Sequence, residues 1–349
     1  MEIAALGKFG LLARLAEVIP PAVHSSTVQG VGDDAAVVAG GARSTLVSNR
    51  LLLEGIHFDL TYVALKFLGY KAATTVFSNL YAMNGRPRQL AVSLGFSKRF
   101  SIENVDELFI GIQYACERHG VDIIGLDTTS SLTGLCIGVT GIGEVGEGQV
   151  AYRSTAQNTD LICVSGDLGA AYMGLQLLER EKAVHAGESD FTPDFAGKEY
   201  LLERQLRPEA RKDIIELLSK HGIVPTAMIG VTDGLASELL HICQQSQVGC
   251  TIYEDRIPID YQTAMMAEQF NMNLTTVALN GGDDYELLFT VPLAMHEQIQ
   301  SIEGIHLIGR IAPSEEGANL ITRDGTQIPL TAQGWTQIEE EDDEKPSEE

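Results

Sequence analysis

Two periods of hydrophobic and polar positions share this chain. Alternation with a spacing near two, rich in β-branched residues, predicts strands over residues 44–53, 89–96, 121–124 and 135–145. Helical spacing predicts helices over 7–18, stopped by Pro20-Pro21, over 65–83, closed by Asn84-Gly85 and Pro87, and over 102–119. Turn residues cluster at Gly146-Glu147-Gly148, and the pattern then resumes. Strands are expected at 161–164 and 226–231, and helices at 170–181, 198–205, 209–221 and 235–247, with a polar loop over 183–195. A strand at 285–291, a helix at 294–302 and strands near 306–311 and 319–322 complete the series. Strands and helices mix rather than strictly alternate, which argues for an α/β chain of the α+β kind rather than a doubly wound sheet.

At 349 residues the chain is long enough for two cores, so two domains are expected, over 1–148 and 149–337, with a tail at 338–349. The tail is a like-charge run: residues 339–349 hold eight acids and one lysine, and read as solvated and disordered. Charge changes the picture most. With 24 Lys plus Arg against 48 Asp plus Glu, the formal net charge is −24, and no basic stripe offsets it. Such a surface repels nucleic acid and an anionic bilayer, so the expected partners are small molecules. Five cysteines without a C-x-x-C pair read as buried thiols of a reducing compartment. No leader pattern and no apolar span is evident, so the expected location is the cytoplasm.

The candidate chemistry lies in acid-and-glycine clusters after β-type runs. The first is Gly30-Val31-Gly32-Asp33-Asp34, and related clusters follow at Gly125-Leu126-Asp127-Thr128-Thr129, Thr232-Asp233-Gly234 and Asn280-Gly281-Gly282-Asp283-Asp284-Tyr285-Glu286. Glycine lets backbone approach a ligand, and carboxylates are the hard ligands that Mg²⁺ prefers. A lone G-D-D is as well an exposed turn; four such clusters read as one distributed phosphate-handling site. No Walker-type loop, Rossmann fingerprint, serine elbow or H-E-x-x-H is present, which argues against those chemistries.

The ordered set G-V-G-D-D, E-G-I-H-F, Y-A-M-N-G-R-P, G-x-D-T-T, S-G-D-L-G, R-P-E-A-R, T-D-G-L and G-G-D-D-Y-E-L-L-F resembles the thiamine-monophosphate kinase family of the aminoimidazole-ribonucleotide-synthetase-like superfamily, from Leu6 to Trp335. The resemblance implies a homodimer of two-domain subunits, with an N-terminal mixed sheet at the dimer interface and a C-terminal α/β sandwich. It also implies ATP as co-substrate, held through several Mg²⁺ ions, with the γ-phosphoryl group passing to thiamine monophosphate. On this resemblance Asp34, Asp127 and Asp233 are the catalytic acids. Asp33, Asp34, Ser48, Asn49, Asp127 and Asp233 are candidate metal positions, and Leu126, Asp127, Arg153 and Thr232 nucleotide positions. His57, Asp283 and Trp335 match substrate contacts, a tryptophan face suiting a cationic ring.

Departures from the family pattern fall where the chemistry should be. Ser48-Asn49-Arg50 stands where the family has Ser/Thr-Thr-Asp, Ser78-Asn79 where it has Ser-Asp, and Gly230 where it has Asp. Gly125-Leu126-Asp127 replaces Gly-Gly-Asp, and Asp283 replaces Glu. These changes leave three readings: an active kinase with a rearranged metal site, a non-catalytic paralogue that binds nucleotide or thiamine phosphate, and another ATP-dependent reaction of the superfamily, for which no residue speaks. In the first, Arg50 takes over part of the metal's work as a bidentate fork on phosphate oxygens.

Overall fold

A computed structural model of the chain describes residue 25, residues 27–29, 33–184 and 195–333. The expected helix at 7–18, Trp335 and the acidic tail lie outside these residues. The first sheet is built from β1 (Thr27–Gln29), β2 (Ala36–Ala39), β3 (Arg43–Leu53), β4 (Arg86–Phe96), β5 (Asp122–Ser130) and β6 (Cys136–Gly146), in the order β1-β2-β3-β6-β4-β5. Only β4 and β5 pair in parallel. Helices α1 (Leu65–Ala82) and α2 (Ile102–His119) belong to the same stretch of chain.

Helix α1 is apolar nearly all round, and its buried residues run from Leu68 to Ala82 with few breaks, the mark of a central helix. It meets α2 at a close crossing. A Cβ on Gly69 would stand 2.0 Å from the Leu108 carbonyl oxygen, and one on Gly111 would stand 1.9 Å from that of Lys66, so glycine is required on both helices. Ser101 caps α2 reciprocally with Asn104, and Gly120 ends it in the left-handed conformation.

The second sheet holds β7 (Leu161–Ser165), β8 (Ala227–Val231), β9 (Gly249–Tyr253), β10 (Glu286–Val291), β11 (Ile305–Ala312), β12 (Ala318–Ile321) and β13 (Gln327–Pro329), in the order β13-β12-β9-β11-β7-β10-β8. Its helices are α3 (Ala170–Val184), α4 (Glu199–Leu206), α5 (Lys212–Lys220), α6 (Leu235–Ser246), α7 (Tyr261–Gln269), α8 (Leu274–Asn280) and α9 (His296–Gln300). Strands β7, β8 and β10 are buried along their whole length, as near-continuous apolar runs demand. Their alternation divides two cores. Cys163, Met228, Leu287 and Phe289 join the cluster that contains α1, whereas Val164, Ile229, Val231 and Leu288 join Leu235, Leu239 and Ile242 of α6. The strand next to α1 therefore turns Met228 and Gly230 toward that helix.

Most expected elements are present, with two informative differences. The strand expected to end before Asp127 runs on to Ser130, because residues 125–130 pair in parallel with 91–96 of β4; Asp127 is in a strand, not a turn. The stretch 249–280 folds as β9, α7 and α8, which went unread because these elements are short and α7 has only Thr263, Met266 and Ala267 buried.

Candidate functional site

The site gathers at the face of α1 that meets β3 and β8. Asp33 and Asp34 precede β2, and Arg153 reaches both: its Nε donates to Asp34 Oδ2 at 2.9 Å and lies 3.6 Å from Asp33 Oδ1, while its backbone N–H donates to Asp33 Oδ2 at 3.1 Å. Burial, then the adjacent Asp34 charge, pushes Asp33 up to about 6 against the pull of Arg153. Ser48, on the helix-facing side of β3, donates to the Asp34 carbonyl at 3.3 Å and accepts from Asn79 Nδ2 at 2.9 Å. A hydrogen-bonded chain thus runs from α1 through β3 to the acid pair.

The Thr232-Asp233-Gly234 turn links β8 to α6, with Gly234 at the helix N-cap. Asp233 does not cap the helix. The turn is instead held by Glu238, one turn into α6, whose Oε1 accepts from the backbone N–H of Thr232 at 3.2 Å and of Asp233 at 3.0 Å. Glu238 is buried, and burial followed by the Asp233 charge pushes its carboxyl up to about 7; the charges of Asp34 and Arg153 also reach it. The two acid clusters therefore share one electrostatic environment. Sequence reading passed over Glu238, although its position four residues after the T-D-G glycine was available as a signal.

The 281–286 segment folds back on the same turn. Asp283 and Tyr285 donate their backbone N–H groups to the carbonyls of Thr232 and Val231, each at 2.9 Å, and both adopt left-handed backbone, with φ of 61° and 55°. Lys71 of α1 meets Asp283 Oδ2 at 2.8 Å, and the Tyr285 hydroxyl donates to Oδ1 at 3.2 Å. Burial works to raise Asp283, but the charge and hydrogen bond of Lys71, the charge of Arg50 and the Tyr285 hydroxyl hold it below the usual carboxylate range. Lys71 also escaped the sequence reading, though a lysine set within the apolar run of the helix was its signal. Behind this segment, Asp284 accepts from the N–H groups of Gly169 and Ala171 at 3.0 and 3.5 Å. Glu286 is clamped by Ser165 Oγ at 2.5 Å, Arg204 at 2.8 Å and Arg211.

Other expected positions are not brought to this point. Asp127 lies level with Ser93 on β4, Gly138 on β6 and Leu51 on β3. That is three strand spacings from β3, about 14 Å. Leu126 beside it is 62% exposed. Asn49 lies on the other face of β3 from Ser48. His57 sits in the exposed turn after β3, where its Nδ1 accepts from Leu53 N at 3.1 Å. Trp335 lies outside the described residues.

As donors, the carboxylates of Asp33, Asp34 and Asp233 and the hydroxyls of Ser48 and Thr232 are hard oxygens, the set suited to Mg²⁺ rather than to a soft metal. Among the described residues no three His, Cys, Asp or Glu side chains converge as a ready cage. One polar atom is orphaned beside them: Ser78 Oγ is buried without a partner. It lies 3.5 Å from where a Gly230 Cβ would be, and Asp34 Oδ1 lies 4.0 Å from the same point. No helix among the described residues is long and apolar enough to cross a membrane.

Residues 32–145 match the family model for AIR synthase related protein, N-terminal domain. The chain is similar to thiamine-monophosphate kinase of Bacillus subtilis, with 31% identity over 91% of this chain and 96% of that protein, and to the enzyme of Aquifex aeolicus, with 30% identity over 96% and 99%. Among solved structures, AaThiL complexed with AMPPCP and TMP superposes with a TM-score of 0.81 at 29% identity, covering 96% of this chain and 98% of that one. With the ordered motifs, the two-sheet fold and similarity across nearly the whole length in agreement, the chain belongs to the thiamine-monophosphate kinase family.

Proposed function

We propose that the protein transfers the γ-phosphoryl group of ATP to the phosphate of thiamine monophosphate. An oxygen of the monophosphate forms the new bond to the γ-phosphorus, the bond from that phosphorus to the ADP oxygen breaks, and thiamine diphosphate and ADP leave. The observation that carries this reading is the meeting of Asp33-Asp34, Thr232-Asp233 and Asp283 along α1, in a chain similar over nearly its full length to kinases of this name. That similarity favours the kinase over a non-catalytic paralogue.

Phosphoryl transfer asks a protein mainly to position reactants and offset charge. Arg153, fixed by Asp33 and Asp34, has further N–H donors for nucleotide phosphate, and the Thr232 hydroxyl stands at the same turn. Asp34 and Asp233, with Asp33 and Ser48 beside them, are the residues that would hold Mg²⁺. Bound there, the ion neutralises charge on the phosphoryl oxygens. Mg²⁺ commonly takes only one or two carboxylates and keeps water or phosphate for the rest, which suits acids that do not form a closed cage. Asp283 and His57 are assigned to the thiamine phosphate.

A homodimer belongs to the same proposal. Leu51 and Leu53 on the outer face of β3 are 56% and 37% exposed, and Asp127 lies in register with Leu51 on that same face. Apolar exposure on an open sheet face marks an interaction surface. A second copy packed there covers it, and offers a route by which Asp127, remote from Asp34 within one chain, reaches a nucleotide.

The test is direct. Purified protein with ATP, Mg²⁺ and thiamine monophosphate yields thiamine diphosphate, and Asp34→Asn lowers turnover at least a hundredfold. An intact protein that binds ATP but forms no thiamine diphosphate overturns the reading.

A further inference from the structure

Arg50 stands on the interior side of its strand. Along β3, Leu46, Ser48 and Leu52 face α1 and are buried, and Arg50 shares their side, half-buried, while Asn49 and Leu51 face out. Its guanidinium carries five N–H donors. It donates no hydrogen bond and forms no ion pair among the described residues. Its nitrogens keep contact with water, so the fork is open to the oxygens of a ligand.

What it faces is specific. Its charge reaches Asp283 and Tyr285. Lys71, with only 7% of its side chain exposed, is pinned on the same carboxylate at 2.8 Å and on the Gln205 carbonyl at 3.0 Å. Two cations thus flank one carboxylate, on a chain of net charge −24. The carboxylate itself sits on strained left-handed backbone, a conformation that persists only where its surroundings impose it.

We propose that Arg50 and Lys71 form the seat for the phosphate of the accepting phosphomonoester, with Asp283 as the counter-ion that holds Lys71 in place until that phosphate arrives. The seat rests on the kinase reading for the identity of the ester. A phosphomonoester dianion presents the planar array of oxygens that a guanidinium fork matches in bidentate fashion, and the ammonium adds a point charge. Because Asp283 hangs on the Thr232 carbonyl, the seat adjoins the turn assigned to the nucleotide. Arg50 is then a binding residue that supplies fixed positive charge on the acceptor side of the transfer.

Calorimetry of thiamine monophosphate, thiamine and a nonhydrolysable ATP analogue on the parent protein, Arg50→Ala and Arg50→Lys tests this. Arg50→Ala is expected to weaken thiamine monophosphate tenfold or more, Arg50→Lys to recover most of that loss, and thiamine and nucleotide to change less than twofold. Unchanged affinity for thiamine monophosphate in Arg50→Ala, or an equal loss for phosphate-free thiamine, overturns the seat. Failure of the parent protein to make thiamine diphosphate strikes the kinase reading alone. Inorganic phosphate, followed by ³¹P line broadening, then decides the seat: broadening lost in Arg50→Ala supports it, and broadening retained overturns it.

Discussion

Lys71 and Asp283, 212 positions apart in the chain, are joined by a 2.8 Å ion pair that ties the central helix to the turn ahead of β10. Lys71 is almost fully withdrawn from solvent, whereas 38% of the Asp283 side chain is exposed. Removing one member of a buried pair costs about 3–5 kcal/mol, and solvent at Asp283 reduces that figure. Lys71→Met is therefore expected to lower the unfolding free energy by about 2 kcal/mol, and Asp283→Asn, which keeps a hydrogen-bond acceptor, by about 1 kcal/mol. Urea denaturation of both variants checks the order; equal losses contradict the picture of a buried lysine against a half-exposed acid.

Glu286 is the more severe case. Its side chain is fully buried and receives Ser165, Arg204 and Arg211, two of them cations with 15% of their side chains exposed. Glu286→Leu removes the buried carboxylate that both guanidinium groups share, leaving Arg211 on Asp213 and Arg204 on the Asp167 carbonyl, so a loss of about 3 kcal/mol is expected, against about 1.5 kcal/mol for Glu286→Gln, which retains acceptor geometry at the carbonyl. Both variants are read by thermal and denaturant unfolding. A Leu variant as stable as the parent removes Glu286 from the scaffold behind the site.

The sequence exposed the parts of this site that are written as local patterns. Strand runs followed by glycine and acid located Asp33, Asp34, Thr232, Asp233 and Asp283, because turn chemistry and period-two burial are properties of neighbouring residues. It did not expose Lys71, Glu238 or the Glu286 clamp. Each is a charged residue inside an apolar context, whose role depends on a partner far along the chain or on the far side of a turn. Nor did it reveal that Asp127 lies within a strand, since a parallel pairing with β4 is non-local and overrides the local turn signal of Gly125. Alternation along β3 does separate Ser48 and Arg50 from Asn49 once the buried face is known, and that face is fixed only by the packing of α1.

His119 provides a pH signature away from the site. Burial, assisted by the charges of Lys212 and Arg118, pushes it down to about 4, and its Nδ1 lies 2.9 Å from the Tyr81 hydroxyl. The unfolded value is about 6.5, so the unfolded chain binds the proton first and stability is lost as pH falls from about 6.5 to 4. His119→Gln is expected to remove that component, up to about 3 kcal/mol, from the difference in stability between pH 7 and pH 4. Asp33, Glu238 and Asp284, raised to about 6, 7 and 7, act with the opposite sign over the same window, losing stability as pH rises through those values. Only the parent-minus-variant difference is therefore diagnostic; a flat difference from pH 7 to 4 contradicts a neutral buried His119.

Gly230 offers a test of where a cation sits. It occupies the side of β8 that faces α1, and a Cβ there would meet Ser78 Oγ at 3.5 Å, Ala82 Cβ at 3.9 Å and Asp34 Oδ1 at 4.0 Å, all ordinary contacts. A side chain is thus sterically accepted, and Ser78 Oγ, otherwise without a partner, gains one. The electrostatics are less accommodating: Gly230→Asp adds a third carboxylate to the Asp33-Asp34 pair, and like charges at that separation disfavour joint ionisation. Without divalent metal the variant is expected to be about 2 kcal/mol less stable than Gly230→Asn, the uncharged control of the same shape. Millimolar Mg²⁺ should reverse the order by binding the folded state alone, and should raise the melting temperature of the Asp variant more than that of the parent. Equal Mg²⁺ shifts in the parent, Asn and Asp proteins place the cation elsewhere than between Asp34, Ser78 and β8.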